Sequence, residues 1–404
     1  AGGVARRVDR ALVAGAITPN RRARASDAAE RLDHTGRMRG LALMGAFYGD
    51  PAWLAPDSGF FPKPAPISPH IRRIRRLGRT GEVLELCWPS AFQPLWCASE
   101  VRLRVSRADA PWEPPLTIPE REEVLTAIER TARRGHDFRT RYASLSNNRT
   151  AHARLYRHHD GPRPTVVLLH GFLGGFSSLD ATMLQAKHFY LGGMDVVMTV
   201  LPLHGPRRES RGLKPPRFPG SDPRYTVEGF RQLVFDHQAL FDYLLCGQVA
   251  SLGIGGMSLG GYGAALLATL DPRLRFALLH IPLCSISEFA LRTGRMVGTQ
   301  REQREQARAL GRVHRPISPS SRPPALPGTR VHIVTGRADE VTGPQQATTL
   351  VTHFNAQHHT FSGGHVVQFE RTRALQPFFD MLRADGLWNP KSTPRPAATN
   401  STTT

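Results

Sequence analysis

The chain has 404 residues and a mass of 44.7 kDa, which is enough for two or three structural units. Its 40% apolar and 21% charged residues exclude a disordered polyelectrolyte, and four cysteines (Cys87, Cys97, Cys246, Cys284) make neither a disulfide scaffold nor a C-x-x-C zinc pattern. The net charge is +20, but only four of the 53 basic residues are lysines, leaving 49 arginines, and the surplus is spread evenly along the chain. A nucleic-acid domain concentrates its cations, so no nucleic-acid partner is expected. Charge of this size does predict peripheral attraction to anionic lipid.

Residues 1–20 contain no uninterrupted apolar segment, so no secretory signal is expected and a cytoplasmic location is favoured. Residues 1–136 read as a mainly helical and irregular N-terminal extension. A helical pattern runs from Ser26 to Tyr48, followed by the proline-rich FFPKPAPISPH (Phe60–His70). The run RRIRRLGR (Arg72–Arg79) reads as a solvated helix face in preference to a functional basic patch. PEREEVLTAIERTARR, 119–134, reads as a helix with Pro119 in its first turn.

From 137 to 384 the rhythm is that of alternating strands and helices. FRTRYASLS and AHARLYRHH read as a hairpin turning at Asn147 and Asn148. TVVLLHG, DVVMTVLPLHG, SLGIGGM, FALLHIPL, RVHIVTG and HHTFSGGH read as strands, with helices at Leu179–Leu191 and Val227–Cys246 between them. Apolar strands separated by helices imply an α/β fold with a mostly parallel central sheet flanked by helices. The uncharged segment 249–270 holds six glycines and reads as strand, turn and helix, not a membrane span. Residues 283–327 lack strand character; Thr299 and Glu302 form a capping box there, and the segment reads as a cap-like insertion. Residues 385–404 read as a disordered tail.

Ligands of such sheets bind at the carboxyl ends of the strands. GMSLG (Gly256–Gly260) places Ser258 on a strand-to-helix turn, the position of a nucleophile, with small neighbours and helix N–H groups aimed at the reacting centre. A tetrahedral oxyanion needs two backbone donors; the N–H of Leu259 is one, and the N–H of Phe172 in HGFLGG is the other. Asp339 and His365 follow their strands in the order Ser…Asp…His and complete the set as orienting acid and base. Glu288 is the rival acid. His170, His204 and Leu173 are candidate pocket residues, Arg207 a candidate for a substrate anion, and Cys284 a buried free thiol. No cofactor or metal is called for; the pairs at 158–159 and 358–359 point to opposite faces of a strand and chelate poorly.

The HGF loop, the GMSLGG elbow, the GRAD acid and the GGH base resemble the alpha/beta-hydrolase superfamily over about 138–384. NRTAHARLY, RPTVVLLHGFLGG, LPLHGPR and MRGLALMGAFYG are similar to the alpha/beta-hydrolase-domain-containing 18 family. The resemblance implies a serine hydrolase of the carboxylesterase or lipase-like class, acting on an ester, thioester or lipid acyl group. A serine peptidase on the same fold and a non-catalytic binding member are the alternatives.

Overall fold

The structure, a computed structural model, describes residues 2–13, 33–106, 115–130, 137–175, 178–209, 216–247 and 249–390. Nine strands form one sheet: β1 (His70–Leu77), β2 (Gly81–Pro89), β3 (Thr150–His158), β4 (Pro164–Leu169), β5 (Asp195–Thr199), β6 (Ser251–Met257), β7 (Leu274–His280), β8 (Val331–Gly336) and β9 (Gln357–Phe361). Their order is β1-β2-β3-β5-β4-β6-β7-β8-β9. The first four in that order pair antiparallel, and β5 through β9 pair parallel.

The apolar runs are long because the parallel strands are covered on both faces. In β4, Val167 and Leu169 join a core shared with helices Pro223–Cys246 and Leu259–Leu270, while Val166 and Leu168 join a second core with Phe378 and Phe379 of helix Arg371–Ala384. Burying each such side chain contributes about 1.5–3 kcal/mol. The chain leaves β4 for β5 on one side and returns past it to β6 on the other. The strand order therefore reverses at β4, and in open α/β sheets ligands bind outside the carboxyl ends of the strands at such a reversal.

Several expectations are corrected. Residues 70–89, assigned to the helical and irregular extension, form β1 and β2. The arginine run is an exposed edge strand and not a helix face, because pairing with β2 overrides its weak local preference; Arg72 lies opposite Glu85 and bonds it. A strand so charged also resists further edge pairing. The hairpin at Asn147 and Asn148 is absent. Residues Phe138–Ala143 are helical, capped by Asp137, whose side chain accepts from Thr140 N at 2.8 Å. Asn148 is buried, bonded to Gln232 and Leu203, and β3 pairs with β2 and β5 instead. Helix Leu179–Leu191 is broken at Gln185, where φ is +58°.

The capping box of Thr299 and Glu302 is formed and opens helix Gln300–His314. That helix packs on helix His34–Tyr48 of the N-terminal region. The same region grips helix Pro223–Cys246 through buried Glu228, which accepts from Tyr48 Oη at 2.7 Å and pairs with Arg231 at 2.6 Å. The helix expected over 119–134 spans Ile118–Arg130. Its last residues, the stretch 26–32 and the tail from 391 lie outside the described residues. No helix among the described residues is long and apolar enough to cross a membrane.

Candidate functional site

Ser258 sits between β6 and helix Leu259–Leu270 with φ +56° and ψ −115°, a conformation that costs a non-glycine residue about 1–3 kcal/mol. The glycines around it make the turn feasible. A Cβ on Gly260 would sit 2.5 Å from the His170 carbonyl oxygen and closer still to that of Leu169, and one on Gly261 would meet Pro282 Cα at 2.9 Å. All of these neighbours are backbone, so none can swing aside. Gly260→Ala is expected to destabilise the fold by about 3 kcal/mol, measured by urea unfolding, since overpacking here must move β4 or the helix.

The loop after β4 lies directly over the serine: a Cβ on Gly171 would be 3.5 Å from Ser258 Cβ. Among the described residues, neither the Phe172 nor the Leu259 backbone N–H donates a hydrogen bond. Leu173, in the same loop, has φ +70° and is half-exposed. His170 is buried beneath the loop. Its Nδ1 bonds the Gly171 carbonyl at 2.7 Å and its Nε2 accepts from Leu201 N at 3.1 Å. Burial lowers its pKa, so it ties the ends of β4 and β5 together as a neutral ring. His204 is fully buried, with Nδ1 on the Pro202 carbonyl and its ring edge-on to Phe172 and Phe218; burial, aided by His170, drives its pKa down to about 3. It buttresses the loop from behind.

Asp339 follows β8 and His365 follows β9. Asp339 Oδ2 is 2.9 Å from His365 Nδ1 and accepts from Thr342 Oγ1 at 2.8 Å, while Oδ1 accepts from the N–H groups of Val341 and Thr342, each at 2.8 Å. Burial alone would raise this carboxyl, but the imidazole and the Thr342 hydrogen bonds outweigh it and hold the pKa near 2. A carboxylate can only accept, so His365 carries its proton on Nδ1 and leaves Nε2 unprotonated. Ser258 Oγ makes no hydrogen bond to His365 here; in unliganded hydrolases such bonds are often long and tighten with substrate. Glu288 is an exposed residue on helix Ile286–Arg292, and Glu340 turns outward to Arg6 and Arg10.

Two participants were not visible in the sequence. Thr342 supplies both a hydroxyl and an N–H to Asp339; a D-x-x-T turn was the available sign. Asp9, in helix Gly2–Leu12, is completely buried against the His365 loop, where it accepts from His365 N (2.7 Å), Val366 N (3.1 Å) and Glu340 N (3.2 Å). Gly364 leaves room for that carboxylate. Arg207 is a correction. It is 1% exposed and already paired with Asp236 at 2.8 Å, with further bonds to the Asn148 and Val200 carbonyls, and cannot meet a substrate. Cys284 is a buried free thiol, its pKa pushed up to about 12 by burial. One group of side chains among the described residues has the spacing of metal ligands, Glu85, Cys87 and His152 on β2 and β3, apart from the strand ends that carry Ser258.

A reversed strand order at β4, a positive-φ serine between strand and helix, and an Asp–His pair at the next strand ends define an alpha/beta-hydrolase fold. Within that class the chain is 31% identical over 359 residues to the uncharacterized proteins Rv2627c and MT2702 of Mycobacterium tuberculosis. The match covers 86% of this chain and 75% of each of them, and the chain belongs to their family. No family model matches. Among solved structures it is similar to the acetyl xylan esterase from Paenibacillus sp. R4 (13% identity, TM-score 0.48, 80% of this chain and 89% of that one). It is also similar to acetyl xylan esterase 1 from Thermoanaerobacterium sp. JW/SL YS485 (14%, 0.46, 79% and 88%).

Proposed function

We propose that this protein is a serine hydrolase that cleaves carboxylic esters or lipid acyl groups through Ser258, His365 and Asp339. The observation that carries the reading is the buried Asp339–His365 pair, which leaves Nε2 without a proton, in a sheet whose strand β6 ends at a strained serine. His365 takes the Ser258 proton as Oγ attacks the acyl carbon. The N–H groups of Phe172 and Leu259 hold the oxyanion, and His365 then protonates the leaving alcohol. Water, deprotonated by the same imidazole, releases the acyl-enzyme and restores the serine. A closer kinship with the alpha/beta-hydrolase-domain-containing 18 family, a cytoplasmic location and peripheral attraction to anionic lipid belong to the same proposal. They are supported by LPLHGPR and MRGLALMGAFYG, by four cysteines that are all unpaired, and by the charge of +20.

The test is covalent. A fluorophosphonate should label the protein once, with the adduct on the Ser258 peptide by mass spectrometry. p-Nitrophenyl esters from acetyl to palmitoyl should then be hydrolysed, with an optimum that sizes the acyl pocket. An adduct on another residue, or no hydrolysis across the series, would overturn the reading.

Asp9 is a positioning residue in this scheme. Asp9→Ala removes the acceptor for three backbone N–H groups that hold the His365 loop, and a small misplacement of a base costs about 10²-fold. The expected result is a kcat lowered by about that factor with KM little changed, partial rescue by Asp9→Asn, and faster amide exchange confined to the 363–368 loop. Unchanged exchange in that loop would show that the helix does not position it.

A further inference from the structure

Residues of the segment 285–321 line a cavity of about 290 Å³ that the mechanism does not use. Its floor is Tyr262, one turn along the helix that begins after Ser258, and its walls are Ser285 and Ser287 after β7 and the end of helix Gln300–His314. Arg308, Arg312 and Arg315 line it from one side. Arg308 and Arg312, four residues apart, share one face of that helix, and Arg315 follows its last residue. Among the described residues no carboxylate lines the cavity, and Arg308 and Arg315 have no ion-pair partner.

The buried wall is polar as well. His314, 5% exposed, lines the cavity, and both of its ring nitrogens are buried without a hydrogen-bond partner. A neutral imidazole carries one N–H, and leaving that donor buried without an acceptor costs about 1–3 kcal/mol. Burial keeps the ring neutral, with its pKa near 3. Gly311, whose missing side chain faces the Ser287 hydroxyl, keeps this wall open.

We propose that this cavity binds the phosphate group of a small phosphorylated molecule. Guanidinium forks match phosphate oxygens in charge and geometry, and the serine hydroxyls add donors. A cavity of this volume admits a phosphate with a short organic group and little more. The site is independent of the hydrolase reading, since it uses none of Ser258, Asp339 or His365.

Isothermal titration with inorganic phosphate, phenyl phosphate and benzoate at matched ionic strength tests it. The variants are R308S/R315S, both exposed positions, and the control pair R301S/R304S on the same helix outside the cavity. Saturable binding of either phosphate, at least tenfold weaker in R308S/R315S and unchanged in R301S/R304S, is expected, with benzoate binding more weakly. Binding of inorganic phosphate alone would identify the free anion as the ligand, and tighter phenyl phosphate a phosphomonoester. No saturable binding, or equal loss in both double variants, would overturn the site. Thermal unfolding of each variant verifies that loss of binding is not loss of fold.

Discussion

Ser258→Ala is expected to lower kcat toward p-nitrophenyl esters by about 10⁶-fold while leaving the fold in place. Removing Oγ deletes the nucleophile, and neither the Asp339–His365 pair nor the oxyanion donors can replace it. Alanine keeps the Cβ and therefore the strain at φ +56°, so the unfolding midpoint should barely move. Ser258→Gly tests that strain separately. Glycine adopts positive φ readily, and the variant should be inactive yet more stable by about 1 kcal/mol. The measurements are initial rates over the ester series and thermal unfolding. Activity retained in Ser258→Ala would place the nucleophile elsewhere.

Asp339→Asn should cost about 10⁴-fold in kcat, because an amide cannot accept from His365 Nδ1, Val341 N and Thr342 at once and the imidazole loses its tautomer. The same substitution should alter the response to acid. The folded carboxyl titrates near 2, below its usual 3.8, so its charged form stabilises the native state above about pH 4. That contribution, about 2 kcal/mol, is lost as pH falls from about 4 towards 2. Wild type and variant should therefore differ most in stability at neutral pH and converge near pH 2. Guanidinium unfolding across that range measures it. A constant difference would mean that Asp339 is not the depressed carboxyl.

The elements that carry local signatures were legible without coordinates. Continuous apolar runs identified β4 to β8 because both faces of those strands are covered, and G-x-S-x-G identified the elbow because only small residues fit between β4, the helix and Pro282. Thr299 and Glu302 announced their helix because a capping box satisfies N–H groups within four residues of sequence. Asp339 and His365 could be singled out because each follows an apolar strand at a glycine turn.

What sequence could not supply depends on groups far apart in the chain. The arginines of 72–79 have no strand preference of their own; β2 and the register of Arg72 against Glu85 make them a strand. Arg207 looked available to a substrate until Asp236, on a helix of the next layer, was seen to occupy it. Asp9 lies 356 residues from the loop it holds, and nothing near it in sequence needs a buried carboxylate. The sequence by itself thus determined the parallel strands β4 to β8, the elbow and the residues proposed for the site, because local backbone demands and burial leave a pattern along the chain. Which charges are spent on structure, and which helix anchors the histidine, was decided only by tertiary packing, because a buried ionic group takes its role from the partner the fold delivers to it.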